Sequence, residues 1–530
     1  MQGRHQNSKH RTDSAMNAQS NFLAILLLSL GLCTAISVGA SHKEEPPTLT
    51  LDNTDTHTVT VHDLAIIGAR VIDPEKNLDA VLNVGIRNGV IKTITAEPLQ
   101  AAEIINGRGQ VLSPGFIDIH SHSPTLLGQH LSLLDGVTTQ LDLEAGAWPV
   151  TAYGDHFSGG AQLNYGASVS HAAIRWKVIN GIDQPYVFVG STPAQLPIEA
   201  WTSRATSIQL EEIRRALEEG LRDGGLGIGV LLDYMKDAIT PQELRLIFET
   251  AGAFQQPVTV HVRRGMPGDA DGLDEVLALA LETKAPTLIC HITHSAMGGL
   301  SEWLAKIDAA NAAGAQVTTE TLSWPAGGTG INADVFRLRD WRAIFDIDYS
   351  DVQWVETGEW LTEETFKRYQ QEQPHGMVNH HYVKEVWIEQ ALQWPGMIVS
   401  SDALPAMSLS QKTNPNIAGT YSRLLGHYAR DRNTLSLMEA IGRATINPAK
   451  WLEKSSDTFK RKGRLQIGAD ADLVLFDSEK IMPGAAYGDP YQPSVGIEWV
   501  IIGGEVIVAK GQRIEGHYPG KRILNRARIP

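Results

Sequence analysis

Pro114-Gly115-Phe116-Ile117-Asp118-Ile119-His120-Ser121-His122 is an apolar run ending in two histidines one residue apart. Side chains of an extended segment alternate with period two, so His120 and His122 lie on the same side of a strand end, where two neutral imidazoles are able to grip one divalent ion. His-x-His is common and often structural, so its meaning depends on what other strands bring to it. Downstream, apolar runs alternate with amphipathic stretches. The candidate strands are Gly115–His120, Val137–Leu143, Leu163–Val169, Gly225–Val230, Pro257–Val262, Pro286–Ile292, Ala315–Thr319 and Gly396–Ser400. Between the third and fourth, Gln209 to Asp223 places Leu210, Ile213, Leu217 and Leu221 on one helical face and charged residues on the other. Eight β-runs alternating with helices predict an α/β fold, a (β/α)8 TIM barrel spanning 113–457. The stretch 325–390 is too long for an ordinary connection and reads as an insertion or lid over the active-site face.

Barrel enzymes build their sites at the C-terminal ends of the strands. His261 ends Val258-Thr259-Val260, His291 ends Thr287-Leu288-Ile289-Cys290, and Asp402 follows Met397-Ile398-Val399-Ser400-Ser401. Taken singly, each reads as a satisfied histidine or a capping aspartate. Four histidines and one aspartate ending strands one, five, six and eight read together as a metal site for one or two zinc-like divalent ions. An ion held there lowers the pKa of its bound water, and Asp402, the one carboxylate of the set, is the candidate to orient that water and take its proton; His294 and His171 are candidate hydrogen-bond donors beside it. Cys290, next to a ligand on the same strand, is expected to point away.

The two ends of the chain share another texture. Val81–Ile86 and Val90–Ile94 flank Asn88-Gly89, a strong hairpin signal, and Ala471–Phe476 and Val500–Val508 repeat the β pattern near the C-terminus. A small β-sandwich domain assembled from 58–112 and 458–525 is therefore expected. At the N-terminus, Phe22 to Ile36 has the length of a signal-peptide apolar region, preceded by Arg4, Lys9 and Arg11 and followed by Val38-Gly39-Ala40. This predicts a signal peptide over 1–40, a linker over 41–57, a periplasmic or secreted enzyme and no integral membrane domain after signal removal. An uncleaved anchor and a start at Met16 are the alternatives. Leu32 argues against a lipid anchor at Cys33, and a mature chain holding Cys290 as its single thiol has no internal disulfide. In 530 residues, 42% hydrophobic and 20% charged, the formal charge of −15 argues against a nucleic-acid or anionic-membrane surface and leaves a small-molecule substrate as the expected partner. A homo-oligomer is compatible with the sequence.

From residue 60 to 525 the chain resembles the amidohydrolase superfamily and, within it, the N-acyl-D-amino-acid deacylase (D-aminoacylase) group. The resemblance rests on the ligand pattern above, on Asp135-Gly136-Val137-Thr138-Thr139, on Leu163-Asn164-Tyr165-Gly166 leading to His171 and Arg175, on His261-Val262-Arg263, and on Gly419-Thr420-Tyr421-Ser422-Arg423-Leu424-Leu425-Gly426-His427-Tyr428. Gly468-Ala469-Asp470-Ala471-Asp472-Leu473-Val474 is similar to the superfamily's terminal β domain. The resemblance implies metal-dependent hydrolysis of a linear C–N amide bond in an N-acyl-D-amino acid, and strand two is similar to that of D-glutamate deacylases, implying an acidic substrate such as N-acyl-D-glutamate. Departures are specific. Where the group carries a metal-bridging cysteine after strand two, this chain has Ala145, so Glu144 is the candidate bridge; a carboxylate that only supports the ligands from behind, or lies on the surface, is the alternative reading. A carboxylated Lys177 or Lys236 would require a shifted register. The group's His-x-Lys on strand six reads His291-Ile292-Thr293-His294, and its Pro-Arg reads Pro415-Asn416. The candidate substrate contacts are accordingly His171, Arg175, Arg263, Arg264 and His294. A cyclic amidase or dipeptidase using the same chemistry, and a catalytically silent binding protein, are the rival readings.

Overall fold

The computed structural model describes residues 61–157, 159–188 and 198–526. The signal peptide and linker expected over 1–57 lie outside the described residues. Among the described residues no helix is long and apolar enough to cross a membrane.

Eight parallel strands form the barrel: Phe116–Asp118, Val137–Ala147, Asn164–Ser170, Ile228–Leu231, Val258–His261, Thr287–Ile289, Val317–Leu322 and Ile398–Ser400, paired in that order. They correspond to the eight runs read from the sequence. The ring closes between the first strand and the eighth, where Ser121 pairs in parallel with Ala403, the Asp402 amide donates to the His120 carbonyl (2.8 Å), and Ser401 Oγ donates to Asp118 Oδ2 (2.6 Å). Closure therefore happens at the residues that carry the histidine pair and Asp402. Helices cover the outside by apolar stripes. In Ser207–Arg222 the residues Leu210, Ile213, Ala216, Leu217 and Leu221 are buried, and Thr206 starts the helix by a reciprocal capping box with Gln209.

Both chain ends build one nine-stranded sheet. The N-terminal strands His62–Asp73, Leu78–Arg87, Val90–Thr95, Ala101–Asn106 and Val111–Pro114 join the C-terminal ones through antiparallel pairing of Val111–Pro114 with Leu473–Phe476. Asn88 and Gly89 both take positive φ (51° and 72°), as a two-residue turn between Leu78–Arg87 and Val90–Thr95 requires. The expected sandwich is a single hydrogen-bonded sheet whose long first strand changes register between Ile66 and Ala69. It pairs with Ala101–Asn106 before that point and with Val111 and Leu112 after it, so that Leu64, Ile105, Leu473 and Ile501 share one core. Beyond Gln512–Arg513 the chain leaves the sheet. Ile523 donates to the Tyr165 carbonyl (2.7 Å), and Asn525 donates to the carbonyls of Leu221 and Gly225, fastening the tail to the barrel.

Between the seventh and eighth strands, a three-stranded antiparallel sheet (Ala326–Gly330, Val352–Trp354, Met377–His381) and the helices Asp334–Leu338, Trp341–Phe345 and Glu363–Glu372 form the insertion. Its aromatic core includes Phe336, Trp341 and Phe366, with Trp341 and Phe366 stacked at 5.5 Å. It presents Thr329, Arg339, Met377, His380 and Tyr382 to the pocket at the barrel mouth.

Candidate metal centre

Two pairs of imidazoles face each other across one carboxylate. His120 Nε2 and His122 Nε2 are 3.1 Å apart, and Glu144 Oε2 and Asp402 Oδ1 stand 3.3 Å and 3.4 Å from each. His261 Nδ1 and His291 Nε2 are likewise 3.1 Å apart, with Glu144 Oε1 at 2.9 and 3.0 Å. Ligand atoms about 2.0–2.1 Å from a tetrahedral ion are roughly 3.3 Å from one another, which is the spacing found here.

The outer nitrogens explain why the inner ones meet. His120 Nδ1 lies 2.6 Å from Glu320 Oε1 and His122 Nδ1 3.3 Å from Asp142; with those nitrogens protonated, the neutral rings turn Nε2 lone pairs inward. Two lone pairs facing each other inside the barrel repel unless a cation lies between them, and this donor set fits a divalent ion. His120, His122 and Asp402 form one group able to hold a metal, and Glu144, His261 and His291 form another.

Local backbone geometry places these groups. Alternation in the second strand puts Asp142 and Glu144 on the same side, and Glu144 lies within the stretch where the register shifts between Asp142 and Ala147. On the sixth strand Leu288 and Cys290 pack in one core cluster and Ile289 in another. Strict alternation would send His291 with Ile289, but its left-handed backbone (φ 30°) turns the imidazole inward. Cys290 consequently shares the interior with it: its thiol lies among His120 and Glu144 and does not point away as expected. Burial, then the neighbouring Glu144, Glu320 and Asp402 carboxylates, push that thiol well above its ordinary pKa.

Burial works to raise the Glu144 carboxyl, and the facing His120 and His261 overcome it, holding Glu144 well below the usual carboxylate range. Asp402 is held low in the same way, chiefly by His120 and His122 against burial. Its side chain remains 22% exposed, and its left-handed backbone (φ 47°) sets it at the mouth of the centre.

The candidate substrate contacts divide. Arg264 and His294 line the pocket, together with Phe188, Tyr234 and the insertion. Burial and then His291 push the His294 imidazole down to about 3, and its Nε2 has no partner. His171, Arg175 and Arg263 are corrections. His171 Nε2 and Arg175 Nη1 both bond Glu243, and the remaining Arg175 nitrogens are spent on the carbonyls of Ala200 and Ser203. Arg263 is committed to Glu275 and to the carbonyls of Lys236 and Ile239. None of the three lines the pocket. Lys177 pairs with Asp183 in solvent and Lys236 donates to the Arg264 carbonyl, so neither sits between the histidine pairs.

Sequence reasoning missed Glu320 and Asp142. The candidate seventh strand stopped at Thr319, one residue short of a carboxylate buried in a strand that runs to Leu322. Asp142 lay inside its candidate strand and was detectable as an acid among apolar neighbours.

No family model matches the chain. An N-acyl-D-glutamate deacylase of Alcaligenes xylosoxydans xylosoxydans is 26% identical over 491 residues, covering 88% of this chain and 96% of that protein. A D-aminoacylase of the same organism is 25% identical over 505 residues, covering 88% and 98%. Among solved structures, an N-acyl-D-glutamate deacylase of Bordetella bronchiseptica, complexed with zinc and a phosphonate mimic of the tetrahedral intermediate, superposes with a TM-score of 0.71 at 22% identity and covers 88% of this chain and all of that one. Over most of its length the chain is similar to amidohydrolases of the N-acyl-D-amino-acid deacylase group. At the end of the second strand Ala145 is buried against the helix layer, and the carboxylate of Glu144 lies between the two histidine pairs.

Proposed function

We propose that this amidohydrolase cleaves the amide bond of an N-acyl-D-amino acid with zinc or a similar divalent ion held by His120, His122, Glu144, His261, His291 and Asp402. The reading is carried by the two inward-facing imidazole pairs at 3.1 Å with one Glu144 oxygen on each. The activities named for the relatives support the substrate class. A divalent ion bound there lowers the pKa of water from 15.7 to about 7 and polarises a carbonyl. Asp402, ionised and open to the pocket, accepts the proton of the attacking water and delivers it to the leaving amine. His294 is neutral and lines the same pocket. The Thr293 hydroxyl lies 3.1 Å from its Nδ1; when that hydroxyl donates, Nε2–H is left free to bond the carbonyl oxygen as negative charge develops there.

Elemental analysis of purified protein, combined with a screen of N-acyl-D- and L-amino acids and cyclic amides, tests the proposal. The expected result is stoichiometric zinc-like metal and hydrolysis of linear N-acyl-D-amino acids, lost on chelation. Exclusive hydrolysis of cyclic amides, or full activity without metal, overturns it. Asp402→Asn should lower kcat by about 10²–10⁴-fold while retaining most of the metal. The apolar segment from Phe22 to Ile36 supports export, and a mature N-terminus at Ser41 in material from the native host is its test.

A further inference from the structure

Of the five candidate substrate contacts, Arg264 stands apart because its guanidinium has donors and no acceptor. The residue is 7% exposed, its Nε is buried without a partner, and its side chain makes no ion pair with any described residue. Its nearest polar neighbour is His261, with Arg264 Nη2 3.4 Å from His261 Nε2. When a divalent ion between the imidazoles takes the His261 Nδ1 lone pair, the ring proton resides on Nε2, beside the Arg264 fork. Two N–H donors therefore converge on one spot, and neither satisfies the other.

The surrounding charge points the same way. Asp233 is the acidic neighbour, but its Oδ1 already accepts the Arg264 backbone amide (2.8 Å) and Arg339 Nη1 (2.9 Å). With that aspartate committed to Arg339 and to a backbone amide, the Arg264 guanidinium has no carboxylate bonded to it. The Phe345 ring, 5.3 Å from the Arg264 guanidinium carbon, gives the group a face to rest on without supplying an acceptor. A buried cation without an acceptor is costly, and a planar fork beside an imidazole N–H matches a carboxylate.

Resting on the function proposed above, we infer that Arg264, with His261 Nε2–H beside it, is the receptor for the substrate's α-carboxylate. Arg264 touches a histidine of the centre, so the anion it holds is close to the reacting carbonyl. In an N-acyl amino acid the α-carboxylate is separated from that carbonyl only by the amide nitrogen and Cα, whereas a side-chain carboxylate reaches further.

The test compares an N-acyl-D-amino acid, its α-carboxamide, and an N-acyl-D-amino diacid amidated only at the α position, in wild type, Arg264→Gln and Arg264→Lys, with bound metal measured in each. In wild type, kcat/KM for the acid should exceed that for the carboxamide by at least about tenfold. Arg264→Gln should reduce this ratio by roughly 10- to 100-fold, mainly through KM, and Arg264→Lys by less, since an ammonium still pairs with the carboxylate. A wild-type enzyme that hydrolyses acid and carboxamide equally well overturns the inference without any variant. So does a ratio that stays within about threefold in Arg264→Gln, and so does a ratio that follows the side-chain carboxylate. Failure of the wild type to hydrolyse any N-acyl amino acid refutes instead the function on which the inference rests.

Discussion

Two buried clusters in this molecule use the same three residue types. His171, Glu243 and Arg175 form one; His261, Glu144 and Arg264 form the other. In the first, Glu243 accepts both Arg175 Nη1 (2.6 and 2.7 Å to its two oxygens) and His171 Nε2 (2.9 Å), and the other arginine nitrogens reach backbone carbonyls. In the second, Glu144 is surrounded by imidazole nitrogens and the arginine faces another donor. Residue type and burial do not separate scaffold from site. Donors and lone pairs left uncommitted do, because such groups are costly until a ligand arrives.

The comparison breaks most decisively at its two glutamates. Glu144→Ala should remove at least one metal equivalent and lower kcat/KM by more than about 10²-fold, since the carboxylate shared by both histidine pairs is gone. Glu243→Ala should cost about 3–5 kcal/mol of stability in denaturant unfolding by leaving Arg175 charged and unpaired in the core, with metal stoichiometry unchanged in the folded fraction. If Glu243→Ala strips metal while Glu144→Ala mainly unfolds the protein, the two clusters have been assigned the wrong way round.

The same contrast shows what was legible in the sequence. Period-two and helical patterning located all eight barrel strands, because a barrel strand must be apolar and its helix amphipathic wherever it lies in the chain. Strand ends singled out His120, His122, His261, His291 and Asp402, because only side chains at those ends reach the mouth, whereas Glu144 came from the resemblance to the deacylase group. His171 and Arg175 also follow a strand end, and their partner Glu243 lies 72 and 68 residues further on. Nothing local reveals that this carboxylate consumes them. His291 and Cys290 both facing inward follows from one left-handed residue, which no periodicity encodes.

Cys290 sharpens the comparison at an intermediate scale. Its thiol lies within reach of His120 and Glu144, yet those atoms are already matched with the histidine pairs. Cys290→Ala should keep the metal complement and change kcat/KM by less than about tenfold, the cost being lost packing in a small site. Loss of one metal equivalent in that variant would make the thiolate a ligand and move Cys290 from the scaffold side of the comparison to the site side.

The smallest effect expected belongs to a third cluster, partly open to solvent at Lys450, where Arg464 binds Glu75. Burial acts to raise the Glu75 carboxyl, but Arg464 Nε (2.8 Å), Gln466 Nε2 (2.9 Å) and Lys450 Nζ (3.3 Å) overcome it and hold the pKa at about 2 against an ordinary 4.5. A carboxyl with a depressed folded-state pKa stabilises the fold fully above its unfolded value, and the contribution is lost as pH falls from 4.5 toward 2. Solvent screens the cluster, so the contribution is on the order of 1 kcal/mol. Glu75→Gln should therefore unfold at slightly lower urea than wild type at pH 7, and the gap should shrink as both are acidified below 4.5. A gap of constant size across that range would mean that the pair acts by shape and hydrogen bonding alone. The satisfied, solvent-screened cluster would then be still less sensitive to charge than the buried one around Glu243, and the difference between open and closed charge clusters would widen.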